Sequence, residues 1–192
     1  MEHPVKEIPH LIQELTMGSP RAQKETLMTY FLPNAAFTHP LCRVSSFSGL
    51  SIPLLGPIDS RWVIWMIYRW YKILSPKIKL DVHSAVFDQK QQVLYVSISQ
   101  IFHLFFVPFY RSDVSLVTVL KLSHDVGSNK YYIQSQEDHY QLNEFIKFIL
   151  PGGATFFWLC QWCAALLCVV GSFLATPATW LEEKYAARKK IQ

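Results

Sequence analysis

The chain has 192 residues, 51% of them hydrophobic, and a formal net charge of +4. That length suits one ordinary domain with an appendage, and a charge so weak and scattered excludes an electrostatic footprint for nucleic acid. Of the four cysteines, at 42, 160, 163 and 168, only Cys42 precedes the apolar C-terminal region. A lone thiol forms no disulfide framework, which fits a reducing compartment. No N-x-Ser/Thr sequon occurs, and Glu2 and Glu7 interrupt any signal-peptide core, so the N-terminal domain is expected to face the cytosol.

Ile8, Leu11, Ile12 and Leu15, then Leu27, Met28 and Phe31, recur at helical spacing. The pattern breaks at Gly18-Ser19-Pro20, where Ser19 is placed to cap a second helix and Pro20 to open it. Lys24 and Glu25 supply its exposed face, and Pro33 and Pro40 are expected to end it. Residues 41–60 mix Ser, Gly and Pro with scattered hydrophobics and read as an ordered loop or lid. Asp59-Ser60 then caps a third helix over Arg61–Leu74, stopped by Ser75-Pro76. Its tryptophans and tyrosines wrap nearly all round, while Arg61, Arg69 and Lys72 make it too charged to span a bilayer. It is either a buried helix or one that faces both the core and a membrane surface.

After Pro76 the period changes to two. Ile78, Leu80 and Val82 alternate with Lys79, Asp81 and His83, and Asp88–Gln91 makes a polar turn. Val93–Val107 reads as a long strand closed by Pro108, Val114–Leu122 as another, and Tyr131–Gln136 as the last. Four strands with short connections pair as an antiparallel meander. Helices first and sheet second predict an α+β layer fold over residues 1–147, three helices packed on a curved antiparallel sheet.

Residues 148–192 are expected to form a separate membrane anchor with a basic tail. No charge occurs between Lys147 and Glu182, and Ala154–Ala175 is almost purely apolar and aromatic. Roughly 20 such residues cross a bilayer as a helix. Phe156, Trp158, Leu166, Val169 and Phe173 are the side chains expected in lipid. Lys189-Lys190 near the end resembles the di-lysine retrieval signal of endoplasmic reticulum membrane proteins, readable only from the cytosol. Two topologies are open. A shallow hairpin over Phe145–Trp180, turning near Val169–Ser172 or shallowly at the interface, keeps both the domain and the tail cytosolic, as in proteins shared with lipid droplets. A tail anchor instead sends the C-terminus into the lumen. Cys160-Gln161-Trp162-Cys163 has metal-site spacing, but no second Cys or His pair accompanies it, so neither metal nor cofactor is expected.

The order of helices, corner, helix and meander resembles the nuclear transport factor 2-like fold, a cone whose curved sheet wraps helices around a pocket. Tyr30-Phe31-Leu32-Pro33-Asn34-Ala35-Ala36-Phe37-Thr38-His39-Pro40 is similar to that family's segment after its second helix. The opening MEHPVKEIP, the segment SRWVIWMIYRWYKILSP and the segment LYVSISQIF together resemble the fungal SigF-like subgroup. The superfamily includes isomerases and dehydratases that set an Asp or His base beside Tyr or Asp donors inside the cone, and the resemblance implies that such chemistry is available to the fold.

Chemistry of that kind needs a buried base with a matched pKa near an oxyanion donor. Tyr30, His103 and Asp138 are the candidate catalytic residues, with His39, His83 and the neighbours His139 and Tyr140 behind them. On the long strand Tyr95, Ser97, Ser99, Ile101 and His103 share one face, and Tyr95, Ser97, Ser99 and His103 are candidate ligand contacts if that face turns into the cone. The plainer reading makes it the solvent face of the sheet, His39 a corner residue bonded to backbone, and Asp138 an exposed turn acid. Phe102 and the apolar run through residue 110 are core of a curved sheet, a surface on which the anchor packs, or a rim dipping into the bilayer. The expected function is a membrane-anchored cytosolic module binding an apolar small molecule or lipid; the alternative is a membrane-bound isomerase, dehydratase or cyclase.

Overall fold

The computed structural model describes residues 1–53, 56–103, 111–141, 146 and 153–189; for 154, 177–179 and 181–189 it describes the backbone alone. The chain divides into two compact units, Met1–Phe148 and Ile149–Gln192.

In the first unit, helix α1 (Pro4–Met17) starts on a proline and buries Ile8, Leu11, Ile12 and Leu15. Glu7 Oε1 accepts the free N–H groups of Glu2 (2.7 Å) and His3 (2.6 Å), a role that suits a carboxylate at a helix N-terminus. Helix α2 (Pro20–Tyr30) has Ser19 as its cap, the hydroxyl accepting from Ala22 N–H at 3.2 Å. Helix α3 (Ser60–Leu74) follows Asp59, but that carboxylate does not cap it. Asp59 Oδ1 accepts from Gly49 N–H (2.9 Å) instead, and Ser60 Oγ donates to the Ala35 carbonyl at 2.7 Å, which ties the start of α3 to the sheet.

Strands are β1 (Phe31–His39), β2 (Cys42–Val44), β3 (Leu50–Ile52), β4 (Gly56–Ile58), β5 (Lys79–Asp88), β6 (Val93–Phe102), β7 (Ser112–Asp125) and β8 (Lys130–Tyr140). Six of them form one sheet in the order β2-β1-β8-β7-β6-β5, and β3 pairs with β4 as a separate hairpin. The antiparallel meander β5 to β8 is as expected. Two expectations are corrected. The stretch after α2 is a strand, not a corner, and it pairs parallel to β8, which makes the sheet mixed. Residues 41–60, read as loop, carry three short strands. Pro33 misled the reading of β1: it lies where the β1–β8 register shifts, between Phe31 and Ala36, a place where its missing N–H breaks no ladder.

Two bulges set which side chains face inward. On β5, Val82 pairs with Ile98 and Ser84 with Ser97, leaving His83 as the extra residue. On β8, Ile133 pairs with Leu122 and Ser135 with Lys121, leaving Gln134 extra. An extra residue flips the alternation. Odd-numbered Ile133 therefore points inward before the bulge, and even-numbered Gln136, Asp138 and Tyr140 face the interior after it. The core between α1, α2, α3 and the concave sheet holds Ile8, Leu15, Leu27, Phe31, Phe37, Ile64, Leu94 and Ile133, all but fully buried.

The second unit contains α4 (Gly153–Lys189), one continuous helix. Within it Thr155–Thr176, 22 residues of mean hydropathy 1.9, is long and apolar enough to cross a membrane. Phe156, Trp158, Leu166, Val169 and Phe173 are all more than half exposed. A hairpin turning near Val169–Ser172 is not what forms, because the helix runs straight through that position. In hydrocarbon a turn would leave backbone N–H and C=O groups unpaired, whereas a helix bonds them internally. Lys189 ends α4; Lys190 and the apolar run at 104–110 lie outside the described residues.

Candidate functional site

The concave face of the sheet and helices α1 and α3 enclose a cavity of about 80 Å³. Its walls are apolar for the most part, with Leu11, Leu15, Phe31, Phe37, Ile98, Leu116 and Ile133 among them. One water needs only ~10–15 Å³ of such space, so this is room for more than a structural water.

The polar groups gather on β8 and the strands and helix beside it. Asp138 Oδ1 accepts from Thr118 Oγ1 (2.8 Å) and Gln136 Nε2 (3.0 Å). Gln136 Oε1 in turn accepts from the Tyr68 hydroxyl at 2.9 Å. The closeness of protein atoms around Asp138 strips it of water and raises its pKa; the two donors partly offset this by favouring the charged form. Its residual exposure is consistent with bordering the cavity. Burial, reinforced by the Asp138 charge, also raises the pKa of Tyr68 and Tyr140, so both hydroxyls keep their protons at neutral pH.

A second chain of contacts meets the first at the cavity. Cys42 Sγ lies 3.4 Å from the Tyr71 hydroxyl, Tyr71 Oη 3.2 Å from His39 Nδ1, and His39 Nε2 3.3 Å from the Tyr140 hydroxyl. Leu41 N–H also donates to His39 Nδ1, at 3.2 Å. Because Nδ1 is thereby an acceptor, the neutral ring carries its proton on Nε2 and donates it to Tyr140 Oη. Tyr140 then has its own proton to give into the cavity. The rings pack as they bond, His39 lying 5.2 Å from Tyr140 edge to face and 5.3 Å from Tyr71.

His39 is neutral because burial lowers its pKa from 6.5 to about 4. In that window the unfolded chain binds the proton and the folded chain does not, so stability is lost as pH falls from about 6.5 towards 4. Allowing for the ring's remaining exposure, the loss is roughly 2 kcal/mol. Asp138 acts in the opposite sense, its raised pKa lowering stability as pH rises above the ordinary carboxylate value. Urea unfolding of wild type and His39→Phe at pH 7 and near pH 4.5 separates the two. The difference between the proteins should shrink at the lower pH, and a pH-independent difference would refute the buried neutral imidazole.

Of the residues singled out in the sequence, Asp138 borders the cavity, and so do His39 and Tyr140. Tyr30 and His103 are not among its lining residues. Tyr30 packs against the core from the end of α2, and His103 donates its backbone N–H to Ser75 Oγ at 3.0 Å. The placement of Tyr95, Ser97 and Ser99 is corrected: β6 turns Leu94, Val96, Ile98 and Gln100 inward and leaves these three on the opposite face, Tyr95 42% exposed. The concave side of this sheet takes the apolar phase because that side covers the core. Tyr68, Tyr71, Thr118 and Gln136 were not singled out. One signal for them existed, a threonine at 118 in the otherwise apolar phase Val114, Leu116, Leu120 of β7. Among the described residues no group of three or more His, Cys, Asp or Glu could hold a metal ion.

Residues 1–178 match the family model of the SigF NTF2-like domain. No curated protein matches the chain. Among solved structures, a protein of ketosteroid isomerase-like fold from Catenulispora acidiphila, in complex with trimethylamine, is similar at 14% identity and a TM-score of 0.50 over 71% of this chain and 88% of that one. The epoxide hydrolase/cyclase-like enzyme SalBIII, of pyran ring formation in the polyether salinomycin, is similar at 13% identity and a TM-score of 0.50 over 72% of this chain and 91% of that one. At such identities the likeness is one of fold.

Proposed function

The chain belongs to the SigF NTF2-like family, and from that premise we propose that its cone binds an apolar small molecule at a membrane and moves a proton on it. The observation that supports this reading is a water-poor carboxylate, Asp138, sharing an apolar cavity with the free hydroxyl proton of Tyr140. Asp138, with its raised pKa, is the base that takes a proton from carbon next to a carbonyl. Tyr140 donates to the carbonyl oxygen as negative charge develops there. Proton transfer of this kind underlies isomerisation, dehydration and aldol-type cyclisation alike.

The test needs no knowledge of the natural substrate. Wild type in nanodiscs is expected to speed the exchange of deuterium into the α-positions of a small cyclic ketone, followed by NMR. Asp138→Asn should lose about 10²–10⁴-fold of that rate. Equal exchange in both proteins would refute the base. Binding of the ketone with no exchange in either would leave the cone as a carrier of apolar molecules, the reading favoured by walls so largely of Leu, Ile and Phe.

In this proposal the cone stays in the cytosol and α4 crosses the membrane once. At 1.5 Å per residue a helix of 37 residues is about 55 Å long, more than a bilayer core of ~30 Å. Its charged end, with Glu182, Glu183, Lys184 and Arg188, then emerges in water on the lumenal side. Lys189 and Lys190 become a solvated flank there and not a retrieval signal. A glycosylation acceptor appended after Gln192 should be modified in microsomes; an unmodified acceptor would place the tail in the cytosol.

A further inference from the structure

A second cavity, of about 260 Å³, lies between β2 and the C-terminal half of α3, walled by Cys42, Ile67, Trp70 and Leu74 and sharing Leu41, Tyr71 and Phe102 with the first. We infer that the two cavities form one site, and that its ligand is an elongated amphipath with a carbonyl head at Asp138 and Tyr140 and an unbranched apolar tail between β2 and α3. The inference rests on the proton-transfer reading of the first cavity and adds the shape and class of what binds.

Size argues for it first. Small-molecule sites start at roughly 300 Å³. Neither the 80 Å³ nor the 260 Å³ cavity reaches that figure, and together they pass it. The smaller holds Asp138, His39 and Tyr140, so it takes the reacting end, and most of the ligand must lie in the larger. Polarity argues the same way. Three of the polar side chains of the second cavity already have partners: the Cys42 thiol meets the Tyr71 hydroxyl, and Ser75 Oγ accepts from His103 N–H. Apart from the Trp70 indole N–H and the Ser75 hydroxyl proton, what remains is apolar wall, a surface for methylenes. Leu41 (51% exposed) and Trp70 (56% exposed) keep apolar surface open at this end of the cone, as a lipid-soluble tail would require on entry.

Two methyl ketones, one of pentanone and one of dodecanone length, each carrying a diazirine at the far end, test this on the full chain in phosphatidylcholine nanodiscs. Photolabelled positions are read by mass spectrometry. The short probe should label first-cavity residues such as Leu11 or Leu116, and the long probe Ile67, Trp70 or Leu74. Leu74→Trp narrows the second cavity alone. It should cut long-probe labelling at least about tenfold, the worth of two buried methylenes, and leave the short probe unchanged. Because the lipid takes up the long ketone equally in both samples, the ratio of variant to wild type is free of partitioning. Short-probe labelling also certifies that the variant is folded. Long-probe labelling confined to the first cavity, or unaffected by Leu74→Trp, overturns the elongated ligand while leaving the proton-transfer reading intact. Failure of the short probe to label the first cavity overturns that reading, and the elongated ligand with it.

Discussion

Phe37→Ala is expected to cost about 3–5 kcal/mol of folding stability, the range for truncating a buried aromatic ring. Phe37 is 1% exposed, in the C-terminal half of β1, and its ring sits 6.0 Å from Tyr68 and 6.3 Å from His39. Its loss therefore removes packing from the very side chains that carry the two hydrogen-bonded chains of the site. Relaxation cannot recover much of that cost, because Phe37 is clamped in register on both sides, against Val44 of β2 and Gln136 of β8. Urea unfolding of the full chain in nanodiscs, followed by near-ultraviolet circular dichroism, measures it. A change below about 1 kcal/mol would mean that the ring is not part of a packed core. As a control, Val86→Ala on the outer face, where Val86 is 63% exposed, should stay within about 0.5 kcal/mol of wild type.

Leu166→Arg is expected to weaken membrane insertion by about 2.5–3.5 kcal/mol, the cost of a guanidinium near the centre of a spanning helix. Leu166 is 59% exposed and lies near the middle of the apolar stretch Thr155–Thr176. The cone should unfold as in wild type while the protein moves from the carbonate-resistant pellet to the supernatant. If the variant resists carbonate as wild type does, α4 is not what holds the chain at a membrane. The same substitution at Leu94, which is 0% exposed in the core, would instead destabilise the cone, and the contrast separates an anchoring defect from a folding one.

Local chemistry shows in the chain wherever one residue's neighbours are also its sequence neighbours. The α1 face, the Ser19-Pro20 start of α2, the extent of α3 and the two-residue alternation of β7 are all readable because helix and strand periods act within a few positions. The apolar stretch of α4 is readable for the same reason: composition over some twenty residues carries it. β1 was not readable, since Phe31–His39 is extended through pairing with β8, about a hundred residues away, and local signals alone favour ending a helix at Pro33.

The site depended on still longer-range order. Asp138 looks like a turn acid until β8 is seen to run on to Tyr140 and to bulge at Gln134, and only that extra residue turns Gln136, Asp138 and Tyr140 towards the interior. His39 comes from β1, which pairs with β8 across about a hundred residues of chain, and Tyr68 and Tyr71 come from α3, which packs over the sheet. The amino-acid sequence by itself determined the helices, the strands of the meander, the apolar helix and the family. Tertiary structure decided which polar side chains face the cavity, because a side chain's direction in a sheet follows from register and bulges, and these are set by partners remote in the chain.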